Sequence, residues 1–175
     1  MLEHIGLYGL RGGLTGWGMN INQKVDTATV NERIKNGESY KLGRAEVVRG
    51  GREITVVTWG AMLHIALQAA DLLAEQDVEV EVVDLRTLMP FDAHTCIESV
   101  HRTGRLMVLQ EAQWSGGLGH TVQSRIMEAC FYELESAPVV VGALDTPVPF
   151  SPPLENHTVP SVEHVVEMIL ASITS

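Results

Sequence analysis

The sequence predicts an α/β fold, a three-layer α/β/α sandwich on a sheet of about five mostly parallel strands with one antiparallel edge strand. Three observations predict it. Short β-branched runs alternate with helix-patterned segments long enough to be the crossovers that parallel strands need. Two of the runs, Leu106–Leu109 and Val139–Val141, are unbroken apolar stretches, as strands buried on both faces require. The first two runs, 45–48 and 54–59, are separated by Gly50-Gly51, a hairpin signal that would set one edge strand antiparallel.

In chain order, residues 1–40 come first as a Gly-rich arm or linker. Gly6, Gly9, Gly12, Gly13, Gly16 and Gly18 are too dense for a helix or strand, and one short helix is expected around Thr29–Lys35. The folded domain occupies 41–175. After the hairpin, Met62–Glu75 carries Leu63, Ala66, Ala69, Ala70 and Leu73 at helical spacing, and Val78–Leu85 alternates as a strand. Asp92 is an N-cap for a helix through Val100, which Thr103-Gly104 terminates. The Leu106–Leu109 strand runs into the glycine loop Ser115–Gly119, which opens a helix from His120 to about Leu134. Pro147, Pro149, Pro152 and Pro153 make the next stretch too rigid for a helix, so a surface strap is expected there. Pro160 and Ser161 start a last helix with Val162, Val165, Val166 and Ile169 inward.

Composition excludes several functions. With 22 acidic against 12 basic side chains the net charge is −10, the wrong sign for neutralising phosphates, so no nucleic-acid partner is expected. No stretch approaches the length of a membrane span and no basic-then-apolar leader opens the chain, so no membrane partner is expected either. Cys96 and Cys130 lack metal-ligand spacing and read as buried, reduced thiols, which suits the cytoplasm.

Candidate chemistry is sparse. A glycine-rich turn between a buried strand and a helix leaves N–H groups that favour an anion, so Gly116, Gly117, Gly119 and His120 form a possible phosphate or carboxylate site. The plainer reading is that the glycines permit tight strand-to-helix packing, since neither the dinucleotide nor the phosphate-loop spacing is present. Glu111 stands where a strand ends, the edge at which open α/β sheets place ligands; a structural or interface role is favoured over acid–base chemistry. Asp145, before Thr146-Pro147, is read as turn chemistry. None of the seven histidines makes a metal pattern, and no serine elbow occurs.

Residues carry a resemblance beyond these patterns. Leu42-Gly43-Arg44-Ala45 resembles the opening of the C-terminal domain of 2-oxoacid dehydrogenase β subunits, the transketolase C-terminal fold. Asp84-Leu85-Arg86-Thr87-Leu88, Gln110-Glu111-Ala112 with Gly116-Gly117-Leu118-Gly119, and Asp145-Thr146-Pro147-Val148-Pro149 fit the same family, as does the final helix from Pro160-Ser161-Val162. The resemblance covers roughly residues 40–173. Leu2-Glu3-His4 with Leu7-Tyr8-Gly9 is similar to the segment leaving the family's preceding pyrimidine-binding domain, although residues 14–39 exceed the usual linker. It implies a component of a thiamine-diphosphate-dependent enzyme acting on pyruvate or a branched-chain 2-oxo acid. The activating glutamate lies in the family's pyrimidine-binding domain. The α subunit holds the diphosphate and Mg²⁺ through a Gly-Asp-Gly motif. This chain has neither, so no catalytic, cofactor-binding or metal-binding residue is expected in it and the chain alone should be inactive.

The partners so implied are a thiamine-binding α subunit, a pyrimidine-binding half on another polypeptide, a second copy of this chain and an acyltransferase core. Gln110 departs from the histidine that many relatives carry there. Two other classes stay open at this point, a stand-alone anion-binding regulatory module and one half of a transketolase-like sugar-phosphate enzyme.

Overall fold

The computed structural model describes residues 27–37 and 41–175. The expected arm over 1–40 therefore lies largely outside the described residues; within it, helix α1 spans Thr27–Lys35. Strand β1 is Glu46–Arg49 and β2 is Ile54–Thr58, followed by α2 (Met62–Ala74), β3 (Val80–Asp84) and α3 (Ala93–Thr103). Then come β4 (Leu106–Gln113), α4 (Gly119–Cys130) with a 3-10 turn at Phe131–Glu133, β5 (Val139–Ala143), α5 (Pro152–Thr158) and α6 (Val162–Thr174).

The five strands lie in the order β1-β3-β2-β4-β5, with β1 antiparallel to β3 and every other pair parallel. Side chains alternate across this sheet with the period of two that strands impose. Ile54, Val56, Val82, Met107 and Leu109 pack with α2 and α6 on one face. Val57, Val83, Val108 and Val140 pack with α3 and α4 on the other. Both faces are covered, which is why the central strands read as apolar runs rather than as alternation. The buried polar groups on this sheet find partners. Thr55 Oγ1 lies 2.8 Å from Thr103 Oγ1, and Glu81 takes a 2.8 Å ion pair from Arg102.

Two expectations are corrected. Runs 45–48 and 54–59 do not form a hairpin. β2 is the central strand, with β3 and β4 on its two edges, so β1 crosses over and pairs β3 instead. Gly50-Gly51 serves this crossing. A Cβ on Gly51 would strike the β3 main chain, and the N–H groups of Arg52 and Glu53 both donate to Glu79 O, at 3.0 and 3.1 Å. The proline strap is likewise partly helical, because Pro152 and Pro153 occupy the first positions of α5, where a missing N–H costs nothing.

Helix α3 ends as its sequence dictates. Asp92 caps it by accepting from Thr95 N–H at 3.2 Å and from Thr95 Oγ1 at 2.8 Å, and Gly104 closes it in the left-handed region. Asp92 Oδ2 also accepts from Ala45 N–H, and Thr87 Oγ1 accepts from Gly43 N–H, so the β3–α3 loop clasps the chain on its way into β1. Arg86, at φ 55°, completes the clasp by pairing with Glu46. Burial pushes the Asp92 carboxyl up, but the bonds from Thr95 and Ala45 and the Arg44 charge together hold it below its ordinary value. A depressed folded-state pKa adds stability that is present above the unfolded value of 3.8 and lost as pH falls through the folded one. Asp92→Ala is expected to cost about 1 kcal/mol at neutral pH. The gap to the parent should close in acid; a gap that persists below the carboxylate range, in urea melts at several pH values, would refute the account.

Candidate functional site

In a parallel sheet, ligands sit at the carboxyl ends of the strands, where successive connections leave in opposite directions. Here β2 leads through α2 to β3 on one side, while its neighbour β4 leads through α4 to β5 on the other. The sequence-predicted residues all gather at this edge, on β4, at the start of α4 and in the two loops that follow β4 and β5.

Strand β4 continues past its apolar run, and its register with β5 slips between Leu109 and Gln113. Gln110 points to the α4 side of this slip and is fully buried. Its Nε2 donates to Gln113 O at 2.9 Å and its Oε1 accepts from Gly119 N–H at 2.6 Å. Pairing resumes where Trp114 N–H donates to Ala143 O at 2.8 Å. The glycine loop follows and α4 begins at Gly119, one residue before the expected start.

Asp145 sits across from the loop. Its carboxylate accepts from Ser115 N–H at 2.9 Å and from Ser115 Oγ at 2.7 Å, and these two bonds hold the carboxyl below its ordinary range. Gln113 Nε2 donates to Thr146 O at 2.7 Å, a second tie between the two loops. His120, the second residue of α4, is bonded through Nε2 to Trp114 O at 3.0 Å, and its ring stands edge-on to the Trp114 indole with centroids 4.7 Å apart. Glu111 is half-buried within β4, one residue after Gln110.

The structure thus brings Gly116, Gly117, Gly119, His120 and Asp145 together at the two loops and the start of α4, while Glu111 stands within β4 itself. Sequence reasoning treated Gln110 only as a departure from a family pattern and missed its place as the hub of these contacts. A glutamine closing an apolar run three residues before the strand's last residue was the available signal.

Other chemistry is scarce. Among the described residues, no three His, Cys, Asp or Glu side chains come together as a metal site. Burial, with the Asp92 charge adding to it, pushes the Cys96 thiol up to about 12, so it is a packing group rather than a nucleophile. Burial also holds the His64 imidazole below its ordinary value. A surface concavity of about 560 Å³ lies at the far end of the sheet, between Arg49, Arg52, Asp77 and Glu79. Its two arginines are paired with Asp71 and Glu79, and it is remote from the strand ends where ligands are held in such folds.

The architecture and the strand edge define an α/β domain whose sheet is covered on both faces and whose polar groups at the strand ends bond to one another. The chain belongs to the family described as transketolase, C-terminal domain, whose profile matches residues 43–165. It is 36% identical over 163 residues to the acetoin:2,6-dichlorophenolindophenol oxidoreductase subunit beta of Cupriavidus necator, covering 93% of this chain and 43% of that one. It is 43% identical over 113 residues to the pyruvate dehydrogenase E1 component subunit beta of Bacillus subtilis, covering 65% of this chain and 35% of that one. Among solved structures, a split gene transketolase described as an inactive beta4 tetramer superposes with a TM-score of 0.65 at 28% identity, over 77% of this chain and 44% of that one. The chain spans less than half the length of these relatives.

Proposed function

We propose that this chain is the C-terminal domain of the β subunit of a thiamine-diphosphate-dependent 2-oxoacid dehydrogenase, with pyruvate or a branched-chain 2-oxo acid as substrate. The observation that carries the reading is the identity along the folded core to a pyruvate dehydrogenase E1 component subunit beta, alongside that to the β subunit of an acetoin oxidoreductase. Its work is assembly. Trp114, Leu144, Val148, Phe150 and Leu154 are exposed apolar side chains on or near the loops after β4 and β5, a surface suited to a protein partner.

The partners we assign are a second copy of the chain, a thiamine-binding α subunit, a pyrimidine-binding half and an acyltransferase core. The split gene transketolase's description as a beta4 tetramer supports association between copies. Division at residue 40 into a linker and an assembly domain belongs to the same proposal, as does a reducing, cytoplasmic setting in which Cys96 and Cys130 stay free. The described residues do not fit thiamine diphosphate with Mg²⁺. Gly119 N–H at the glycine loop is already bonded to Gln110, and a carboxylate faces Ser115. The cofactor's chemistry is therefore assigned to the partner polypeptides.

The test is reconstitution. The purified chain with pyruvate, thiamine diphosphate, Mg²⁺ and an artificial electron acceptor is expected to show no turnover. Capture from a native extract is expected to recover an α subunit and a pyrimidine-domain polypeptide, and the recovered complex to decarboxylate a 2-oxo acid. Turnover by the chain alone sinks the reading. So does recovery of nothing but the chain itself, while a complex that transfers ketol units between sugar phosphates assigns it to a transketolase.

A further inference from the structure

A strand–glycine loop–helix junction ordinarily aims its free N–H groups at an anion from outside. Here the junction spends two of them on the protein. Gly119 N–H goes to Gln110 Oε1 at 2.6 Å, and Ser115 N–H and Oγ go to Asp145. Three glycines, from the loop, α4 and β5, converge on the Gln110 side chain. A Cβ on Gly117 would overlap its carboxamide, one on Gly119 would lie 2.8 Å from Oε1, and one on Gly142 of β5 would lie 3.2 Å from Nε2. The carboxamide is fully buried and satisfied at both ends, with its oxygen toward the helix and its nitrogen toward Gln113 O.

We propose that Gln110 is the internal ligand of the glycine loop. Its amide oxygen takes the position that an anion would take, closing the loop to phosphate and carboxylate ligands. Its amide nitrogen bridges the register slip of β4 and so fixes the stretch from Gln113 to His120. Gln110 is in this sense a positioning residue. It holds the edge-on Trp114–His120 pair at the surface without touching any ligand. Asp145 reinforces the closure, because its negative charge stands where an incoming anion would meet Ser115. The inference is independent of which enzyme the chain assembles into.

The orientation of the carboxamide gives the proposal a distinctive test, the Gln110→Glu variant. Its carboxyl, when ionised, could accept from Gly119 but could not donate to Gln113 O, whereas the protonated acid could do both. The introduced carboxyl therefore has a folded-state pKa raised above its unfolded value. The folded variant is favoured below the unfolded pKa and loses ground as pH rises through the folded one. The melting temperature of Gln110→Glu is expected to approach the parent's in acid and fall progressively below it toward neutral pH. In the parent chain, the Gly119 amide resonance is expected to stay still through a titration with inorganic phosphate. In Gln110→Ala the same amide should exchange with solvent about tenfold faster or more. A saturable shift of Gly119 with phosphate in the parent would overturn the proposal without any variant having to fold. A Gln110→Glu chain that tracks the parent's melting temperature at every pH would overturn it as well.

Discussion

Gly117→Asp is expected to leave the chain unfolded or aggregated at ambient temperature. The new Cβ would fall on the Gln110 carboxamide, which is fully buried and held at both ends, so it has nowhere to retreat. Overpacking of this kind costs about 1–3 kcal/mol. A carboxylate forced into this packed junction adds the penalty of a poorly solvated charge. Displacing Gln110 also orphans Gly119 N–H and Gln113 O, at about 1–3 kcal/mol per buried group. These terms are not additive, but together they reach about 5 kcal/mol, comparable with the whole stability of many domains. Urea unfolding followed by circular dichroism measures it, and a midpoint equal to the parent's would refute the packing argument. Gly116→Asn is the control. Gly116 sits at φ 75° with nothing within 4 Å of an added Cβ, and asparagine tolerates that region, so a loss of about 1 kcal/mol or less is expected.

Gly51→Val should have the second largest effect, a loss of about 3 kcal/mol. The clash is with main chain rather than with a side chain that could swing aside. A Cβ on Gly51 would lie 2.7 Å from Glu79 O and closer still to the backbone of Val80 and Glu81. Those atoms belong to β3 and the residue leading into it, whose pairing with β2 anchors the sheet's centre, so β3 cannot yield and the β1–β2 crossing must. At Gly50, one residue earlier, an added Cβ meets nothing within 4 Å, and Gly50→Ala is expected to change stability by about 0.5 kcal/mol or less. Denaturation of the pair tests the crossing. Equal stability of Gly51→Val and Gly50→Ala would mean that the crossing relaxes freely.

The same glycines show where sequence reading stops. Periodicity and apolar runs located the helices and central strands because both faces of the sheet are buried, and Asp92 and Gly104 marked the ends of α3 by cap chemistry that is local in sequence. The partner of a strand is not local. Gly50-Gly51 has the composition of a hairpin turn, yet the central strand's edges were already occupied, and only the assembled sheet decides that β1 passes on to β3. The prolines misled for a simpler reason. Rigidity excludes them from helix interiors, whereas Pro152 and Pro153 open α5. At the candidate site the glycine loop was visible as a possible anion cradle, with packing as the plainer reading. What occupies it was not visible, because Gln110 and Gly119 are nine residues apart and meet only through the slip in β4.

The antiparallel edge strand has a dynamic consequence. β1 is four residues long, touches one neighbour and leaves Val47 and Val48 partly exposed, while the four parallel strands close a complete two-faced core without it. Opening free energies in a domain range from near zero at such margins to the global value at the centre. Segment 42–49 should therefore behave as a separable cooperative unit, held by the Thr87, Asp92 and Arg86 clasp more than by apolar burial. Movement passed along the polypeptide from residues before the domain would be absorbed in that seam, leaving the strand-end surface after β4 and β5 undisturbed.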